Sequence, residues 1–504
     1  MHKSKPHRLF CDSLIAFQKL IESGVVNQDA QVFTRSFVLA ENASVNTVYL
    51  DGKLSTEDRL HFKSEIRNIE NALHKKLENA GFSAAHKIIF LQLFNNFQND
   101  ILDAALLGSD SEFDGATIIA VPRTGRPEID EILRPCWIDW MAGQKHLSLI
   151  DVHLPYHNER APRGNVNIRL ADRLKLGGYE AVLWKIAQQN WLPDLFFNKG
   201  KIGIVGQTEL ARDIVACCVV NRHKPVFIEK PKVNASQSVP DVKTAVAVIN
   251  EVVDIINERL SFIPAEPLQE RAREMLLDRV EGAFGDYSRL SEEWQKILTA
   301  HPDLICIFSG YGNGPSAMAM ADSCQLAGVK IAAFQHGITR ELLGGAEERS
   351  VFYETSFSDL FVTMNMMSGQ VTAELSMNKM PKIITSCWPS PFRRIRKSSK
   401  KTGDAFLFVS TNLFSGYRPN GVPPMNDREL CSLEKELVEN VFSQVNNIVD
   451  YKPYPAIRQL DADPVISTAI AQANMNVIGT HEDLRYLLET YRLFITSRAT
   501  STVS

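Results

Sequence analysis

The chain is 504 residues long, with 44% hydrophobic and 23% charged residues and a formal net charge of −4. That length exceeds what one hydrophobic core serves and predicts two or three domains of ordinary globular composition. The slight acidity speaks against a general polyanion binder, so nucleic acid is not an expected partner, and no run of about 18 apolar residues is present to span a bilayer.

At the N-terminus, Lys3, Lys5 and Arg8 mix with the short apolar segment Leu14 to Phe17, without a signal peptide's uninterrupted apolar core or cleavage site. The eight cysteines are scattered, only Cys217 and Cys218 are adjacent, and no CxxC pair occurs. Such spacing reads as reduced thiols of a cytoplasmic protein and argues against a zinc site. Residues 1–110 read as a largely helical region. Ile66, Ile69, Leu73, Leu77, Ile88, Leu91 and Leu93 recur near helical spacing, as packing scaffold rather than chemistry.

Strand signals begin with Ala116 to Val121, stopped by Pro122, and with Leu147 to Ile150. Strands and helices then alternate. Lys201 to Val205 is a strand and 209–220 a helix; Pro225 to Ile228 is a strand, followed by helices over 240–300. Leu304 to Phe308 is a strand, 316–326 a helix, and Lys330 to Phe334 a strand again. This alternation predicts a parallel sheet covered on both faces, a Rossmann-like N-domain over 111–386. Residues 387–404 read as a linker. Its cations Arg393, Arg394, Arg396, Lys397, Lys400 and Lys401 suit a solvated hinge, the alternative being contact with an anionic membrane surface. A second Rossmann-like domain is expected over 405–504, with strands at 405–409, 447–451, 475–478 and 493–496 and helices at 428–445, 464–473 and 481–489. Ser504 falls where its next helix should begin, so this domain is expected to be incomplete at the C-terminus.

Open α/β sheets bind ligands at the carboxyl ends of their strands, where loops and helix N-termini present N–H groups. In the C-domain three such loops are polar: Ser410-Thr411-Asn412, Lys452-Pro453-Tyr454-Pro455, and Ser497-Arg498-Ala499-Thr500-Ser501-Thr502. Their hydroxyls suit a phosphate, or helix capping alone. In the N-domain, Gly310 and Gly312 lie in the strand-to-helix loop Ser309 to Ser316 and serve either a ligand or a tight turn; Gly206-Gln207-Thr208 is a weaker version. The loop from Asp151 to Arg163, with Glu159 among its titratable groups, reads as the place of a general base or as solvated surface. The sharpest feature is Gln335-His336-Gly337-Ile338-Thr339-Arg340, where a buried run ends in Gln-His. Its position at a strand's carboxyl end favours a site over a structural histidine.

The run Pro302 to Phe308, its glycine loop and helix, and Gly328 to Gly337 together resemble the N-domain end of GT-B glycosyltransferases. The similarity is to bacterial surface- and capsule-polysaccharide transferases with a Gln-His-Gly motif. Ser358 to Thr363 resembles that family's next strand, Lys452-Pro-Tyr-Pro455 its Lys-Pro-His-Pro element, and Ile495 to Val503 its Ser/Thr-rich donor loop. The resemblance covers roughly residues 300–504; Tyr454 stands where the family has His, and the family continues past the Ser/Thr loop.

The resemblance implies two doubly wound Rossmann-like domains facing a cleft. A nucleotide-sugar donor would sit on Ser410, Thr411, Lys452, Ser497, Thr500, Ser501 and Thr502, and a lipid-linked or oligosaccharide acceptor at the N-domain. His336, with Asp151 or Glu159, would serve the reacting centre, and Gly310, Gly312, Gln335, Gly337 and Arg340 would line the cleft. No metal site or cofactor beyond the nucleotide sugar is expected, and the location would be cytoplasmic or peripheral to the inner membrane face. A sugar-nucleotide epimerase, a glycerol-phosphate transferase and a non-catalytic nucleotide-binding assembly protein are the other readings of the same fold.

Overall fold

The computed structural model describes residues 8–42, 44–108, 116–125, 130, 138, 142, 147–154, 170–191, 193–206, 209–231, 250, 266–310, 314–335, 354–376, 380–385, 403–410, 425–454, 461, 463–479, 484 and 490–497. They form an α/β architecture of three parallel sheets with helices packed against them.

The first sheet is built from β1 (Arg8–Phe10), followed by α1 (Leu14–Glu22), β2 (Gln31–Thr34), α2 (Phe37–Ala40) and β3 (Asn46–Tyr49). Two long helices intervene, α3 (Thr56–Asn79) and α4 (Ala84–Gly108), before β4 (Ile118–Arg123) and β5 (Ser148–His153). The strand order is β3-β2-β1-β4-β5, so the winding reverses between β1 and β4 as in a dinucleotide-binding domain. Alternation along the three-residue β1 sends Leu9 into a core with Phe17 and Leu20 of α1, and Phe10 into another with Phe33 and Val121 on the opposite face. Pro122 does not end β4. Beyond Ile119 the described pairing of β4 is to β5 alone, and a proline is tolerated where one side of a strand lacks a partner.

The second sheet follows α5 (Leu170–Gln188). It comprises β6 (Lys199–Val205), α6 (Glu209–Val220), β7 (His223–Ile228), α7 (Glu266–Ala300), β8 (Leu304–Ser309), α8 (Gly314–Leu326), β9 (Lys330–Phe334), β10 (Leu360–Thr363), α9 (Met366–Leu375) and β11 (Lys382–Thr385). Its order, β11-β10-β9-β8-β6-β7, reverses between β6 and β8. Its core takes in the apolar stripes of α3 and α4. Ile66, Ile69, Leu73, Leu77, Ile88 and Leu91 are buried in one cluster with Ile307, Ile331 and Phe361. The helical scaffold expected in the first 110 residues therefore exists, but it packs with the second sheet. The capping box of α3, in which Ser55 and Asp58 each accept the other's backbone N–H at 3.0 Å, sets where this excursion starts.

The third sheet contains β12 (Phe406–Val409), α10 (Asp427–Glu436), β13 (Val449–Lys452), α11 (Pro464–Ile470), β14 (Met475–Val477) and β15 (Leu493–Thr496), in the order β14-β13-β12-β15. The helix expected over 428–445 stops at Glu436 and continues as a wide turn, Leu437–Val441, and a tight one, Phe442–Gln444.

Two features differ from the sequence-based expectation. The first 50 residues contribute three strands, each too short to display a period-two pattern. The span 111–386, expected to build one sheet, supplies strands to two, because β4 pairs with β1 while β6 pairs with β7 and β8. The linker expected over 387–404 lies outside the described residues up to 402.

The first and third units share a core. Phe37 of α2 and Tyr49 of β3 are buried with Phe408, Leu430, Val438 and Tyr451 of the third unit. Ion pairs ring this contact: Arg428 Nε reaches Glu41 at 2.6 Å, and the buried Arg59 reaches Glu429 at 3.2 Å. Replacing a fully buried phenylalanine by alanine costs about 3–5 kcal/mol. Phe37→Ala is accordingly expected to lower the stability of the first and third units together by that amount in urea denaturation. A loss confined to signals from the first unit would show that the two do not unfold as one.

Candidate functional site

The third sheet reverses its winding between β12 and β15, which run parallel with Val409 opposite Thr496. Ligands of open α/β sheets bind outside the carboxyl ends of the strands at such a point. The residues that follow the two strands are Ser410 and Ser497, and the structure brings them together. The Ser410 hydroxyl donates to Glu434 Oε2 at 2.8 Å, and the Ser497 hydroxyl donates to Oε1 of the same carboxylate. Glu434, on α10, is fully buried. The Ser410 N–H donates to the Lys452 carbonyl at 3.0 Å, which places the last residue of β13 beside them. Ser410 and Lys452 are buried, whereas Ser497 is half-buried and is the accessible member of the group.

Three of the residues singled out in the sequence thus converge, with one difference in chemistry. Both hydroxyls donate to Glu434, so the half-buried Ser497 offers lone pairs outward rather than a donor, while the buried Ser410 serves to fix the carboxylate. A phosphate here would have to rest on backbone N–H groups or a cation, while Ser497 suits a hydroxyl of a sugar. Glu434 carried no sequence signal, since a glutamate in a polar helix ordinarily marks a solvated face.

A buried polar chain continues inward. The Tyr451 hydroxyl, in hydrogen-bonding contact with Ser410, donates to Asp463 Oδ2 at 2.9 Å. Asp463 in turn caps α11 by accepting the Val465 N–H at 2.9 Å. Burial holds the tyrosine well above its ordinary range. Burial likewise raises Asp463 above the ordinary 3.8, against the opposing pull of the Val465 N–H, the Tyr451 hydroxyl and Lys435.

The carboxyl end of the first sheet is also furnished. Asp12, after β1, accepts the Arg35 backbone N–H and Nε, each at 2.7 Å, and the Arg35 guanidinium stands 5.6 Å from the Phe10 ring centroid. The N-terminus of α1, where an anion would ordinarily bind, is filled from within the chain. Asp461 accepts Leu14 N–H at 2.9 Å, Ile15 N–H at 3.1 Å and the Ser13 hydroxyl at 2.9 Å. Asp461 follows β13 in the chain, so a carboxylate of the third unit closes the carboxyl end of the first sheet.

The other sequence candidates fall elsewhere. Gly310 donates its N–H to Val205 at 3.1 Å, and Gly206 takes a φ of 86° at the end of β6. Gly206 and Gly310 therefore flank the reversal point of the second sheet. Gln335 directly follows β9 in the same sheet, but its side chain holds the entry to α9. Nε2 donates to the Ser368 hydroxyl and Oε1 accepts the Met364 N–H, both at 3.2 Å. Asp151 lies within β5, which runs on to His153, rather than in a loop. It pairs with Arg123 at 2.9 Å on the edge of the first sheet, a different sheet from Gln335. Glu159, Thr411, Thr500, Ser501, Thr502, Gly312, His336, Gly337 and Arg340 lie outside the described residues. Among the described residues no group of three or more His, Cys, Asp or Glu side chains is placed to hold a metal, and no helix is long and apolar enough to cross a membrane. No protein-family model matches this chain, and no curated protein sequence does.

The raised Asp463 has a consequence for stability. A carboxyl whose folded pKa stands above its unfolded value holds its proton more tightly when folded. Its contribution is full below the unfolded value and is lost as pH rises through the folded one. Asp463→Asn keeps an oxygen for the α11 cap and abolishes the titration. It is expected to flatten the fall in stability upward from about pH 4, read from urea midpoints across the acid range. A pH slope as steep as that of the unaltered chain would remove Asp463 from the account.

Proposed function

We propose that this chain is a glycosyltransferase of the GT-B type, moving a sugar from a nucleotide-activated donor to a growing bacterial surface polysaccharide. The observation that carries the reading is the convergence of Ser410, Ser497 and Lys452 at the reversal point of the third sheet. The second support is the resemblance of residues 300–504 to transferases with the Gln-His-Gly motif. In this reading the third unit is the donor side. Lys452 and the N–H groups of the surrounding loops stabilise the departing nucleotide phosphate, because fixed donors and cations are most effective where negative charge develops. Ser497, held as an acceptor by Glu434, receives a hydroxyl of the donor, and the buried Ser410 fixes Glu434 behind it.

The acceptor, a lipid-linked or oligosaccharide glycan, approaches the loops at Gly206 and Gly310 of the second unit. One of its hydroxyl oxygens forms the bond to the anomeric carbon while the bond from that carbon to the phosphate oxygen breaks, and the electron pair leaves with the nucleotide. His336, which follows Gln335 after β9, is assigned to the reacting centre, either taking the acceptor's proton or donating to the departing phosphate. The chemistry as proposed calls for no cofactor beyond the nucleotide sugar.

Calorimetry against a panel of nucleotide sugars is the direct test. Lys452→Met is expected to weaken donor binding by about 1.5–3 kcal/mol and Ser497→Ala by about 0.5–1.5 kcal/mol, with thermal unfolding checked alongside. His336→Gln should leave binding in place and slow transfer by roughly 10²–10⁴-fold. Nucleotide binding without release of nucleotide in the presence of any glycan acceptor would make the chain a binding protein instead. The absence of binding to the entire panel would overturn the proposal.

A further inference from the structure

The amino-terminal end of the second sheet, opposite its glycine loops, carries an apolar and cationic surface that none of the foregoing chemistry uses. The chain leaves α5 through Trp191, whose N–H is held by the Ile186 carbonyl at 3.1 Å, and makes a tight turn at Asp194–Phe196 before entering β6. That turn is fixed in place. Phe196 N–H donates to the Pro193 carbonyl and Phe197 N–H to the Asp194 carbonyl, both at 2.9 Å, and the Asp194 carboxylate accepts the Lys224 ammonium at the start of β7. Held this way, the turn presents Leu195 almost wholly to solvent, at 96% exposure, beside Trp191 at 69% and the partly exposed Phe196. Ile305 of β8, packed against the bare backbone of Gly200, adds an exposed aliphatic group at the same end.

Single exposed apolar residues are ordinary on any surface. This group differs in being both rigidly displayed and framed by cations. Lys199, Lys201, Arg222 and Lys224 stand at the starts of β6 and β7, with the Lys199 N–H on the Arg222 carbonyl at 3.3 Å. Among the described residues the carboxylates paired with these cations are Asp194, with Lys224, and Asp303, with Lys201 at 2.8 Å, while Asp359 further along the same end is paired with Lys330. The local balance is therefore positive, on a chain whose overall charge is −4.

We infer that this end of the second unit docks on an anionic lipid surface, with Trp191, Leu195 and Phe196 entering the headgroup region and Lys199 and Arg222 meeting lipid phosphates. An indole and an aliphatic side chain projecting from a fixed turn, ringed by lysine and arginine, match what an interfacial anchor requires: apolar area to bury and cations for acidic headgroups. A second copy of the chain suits the surface less well, because two such faces would set like charges against each other. The carboxyl ends of these strands would then stand about one strand length, roughly 20 Å, from the bilayer. The contact requires no catalytic activity, and its test reads binding alone.

The full chain is sedimented with vesicles of phosphatidylcholine alone and of phosphatidylcholine containing about one-third phosphatidylglycerol, at low and high salt. Binding to the anionic vesicles, weakened by salt, is expected. A Trp191→Ser, Leu195→Ser double variant should lose it on the order of tenfold. A Lys199→Gln, Arg222→Gln variant should lose on the order of 25-fold, about fivefold for each cation. All four side chains are at the surface, so circular dichroism and thermal unfolding should match the unaltered chain. If one variant fails to fold, the other decides. Equal binding by the variants would assign attachment to another segment, the basic run 393–401 first, and overturn the inference. So would equal sedimentation with neutral and anionic vesicles, no sedimentation with either, or concentration-dependent dimerisation that the variants abolish.

Discussion

The carboxylate of Asp461 accepts the first free N–H groups of α1 and the Ser13 hydroxyl, joining residues almost 450 positions apart in the chain. Those N–H groups have no partner inside the helix, and leaving such groups buried and unmet costs about 1–3 kcal/mol each. Asp461 is itself buried, and burial raises its pKa above the ordinary 3.8 despite the donors around it. Each side of the contact therefore needs the other: the helix end lacks acceptors and the carboxylate lacks water. The joint core of Phe37, Tyr49, Phe408 and Tyr451 supplies the apolar area around the same contact. The first and third units are held together at two chemically different places, and the end of the first sheet that would otherwise receive an anion is closed by the chain itself.

The connection between β3 and β4 couples the remaining unit. A crossover in a doubly wound domain ordinarily covers its own sheet. Here α3 and α4 bury Ile66, Ile69, Leu73, Leu77 and Phe90 in the core of the second sheet, together with Trp294 and Leu298 of α7. The Gln92 side chain of α4 also accepts the Gly314 N–H at the start of α8, where the φ of 67° favours glycine. The crossover of one domain thus serves as a layer of the next, and its apolar surface is satisfied only when the second sheet is present.

How much of this is legible in the sequence depends on whether an element is a continuous apolar run or is defined by its partners. Lys330–Phe334 and Leu493–Thr496 were read with the bounds they have, because each is a continuous apolar run between clear breaks. The helix at 209–220 was equally plain. β1, β2 and β3 are not legible because each mixes one or two apolar residues with polar ones, and what identifies Arg8–Phe10 as a strand is its pairing with Gln31–Phe33, Ile118 and Ile119, which is not local information. At the site, Ser410, Lys452 and Ser497 were found from their positions just after or at the ends of strands. Glu434 and Asp461 were not, since a carboxylate reveals its role only through partners distant in the chain. The same reasoning misplaced Asp151, whose strand extends to His153 and carries it onto the sheet.

The polar chain from Asp463 through Tyr451 and Ser410 to Glu434 and Ser497 bears on why the carboxyl end of the third sheet has the form it does. Burying two carboxylates and a phenol is costly, and a well-packed apolar core would often be as stable or more so. What the polar chain supplies is position. Ser410 follows β12, Tyr451 lies in β13 and Ser497 follows β15, so hydrogen bonds with fixed directions tie the ends of three adjacent strands to one another and to α10. Apolar contacts slide with little penalty, whereas a buried hydroxyl that moves away from its carboxylate loses a partner it cannot replace. The loops that leave these strands consequently start from points fixed by hydrogen bonds. Such preorganisation of loop origins is what a site at a sheet's reversal point needs in order to recognise a ligand without reordering itself.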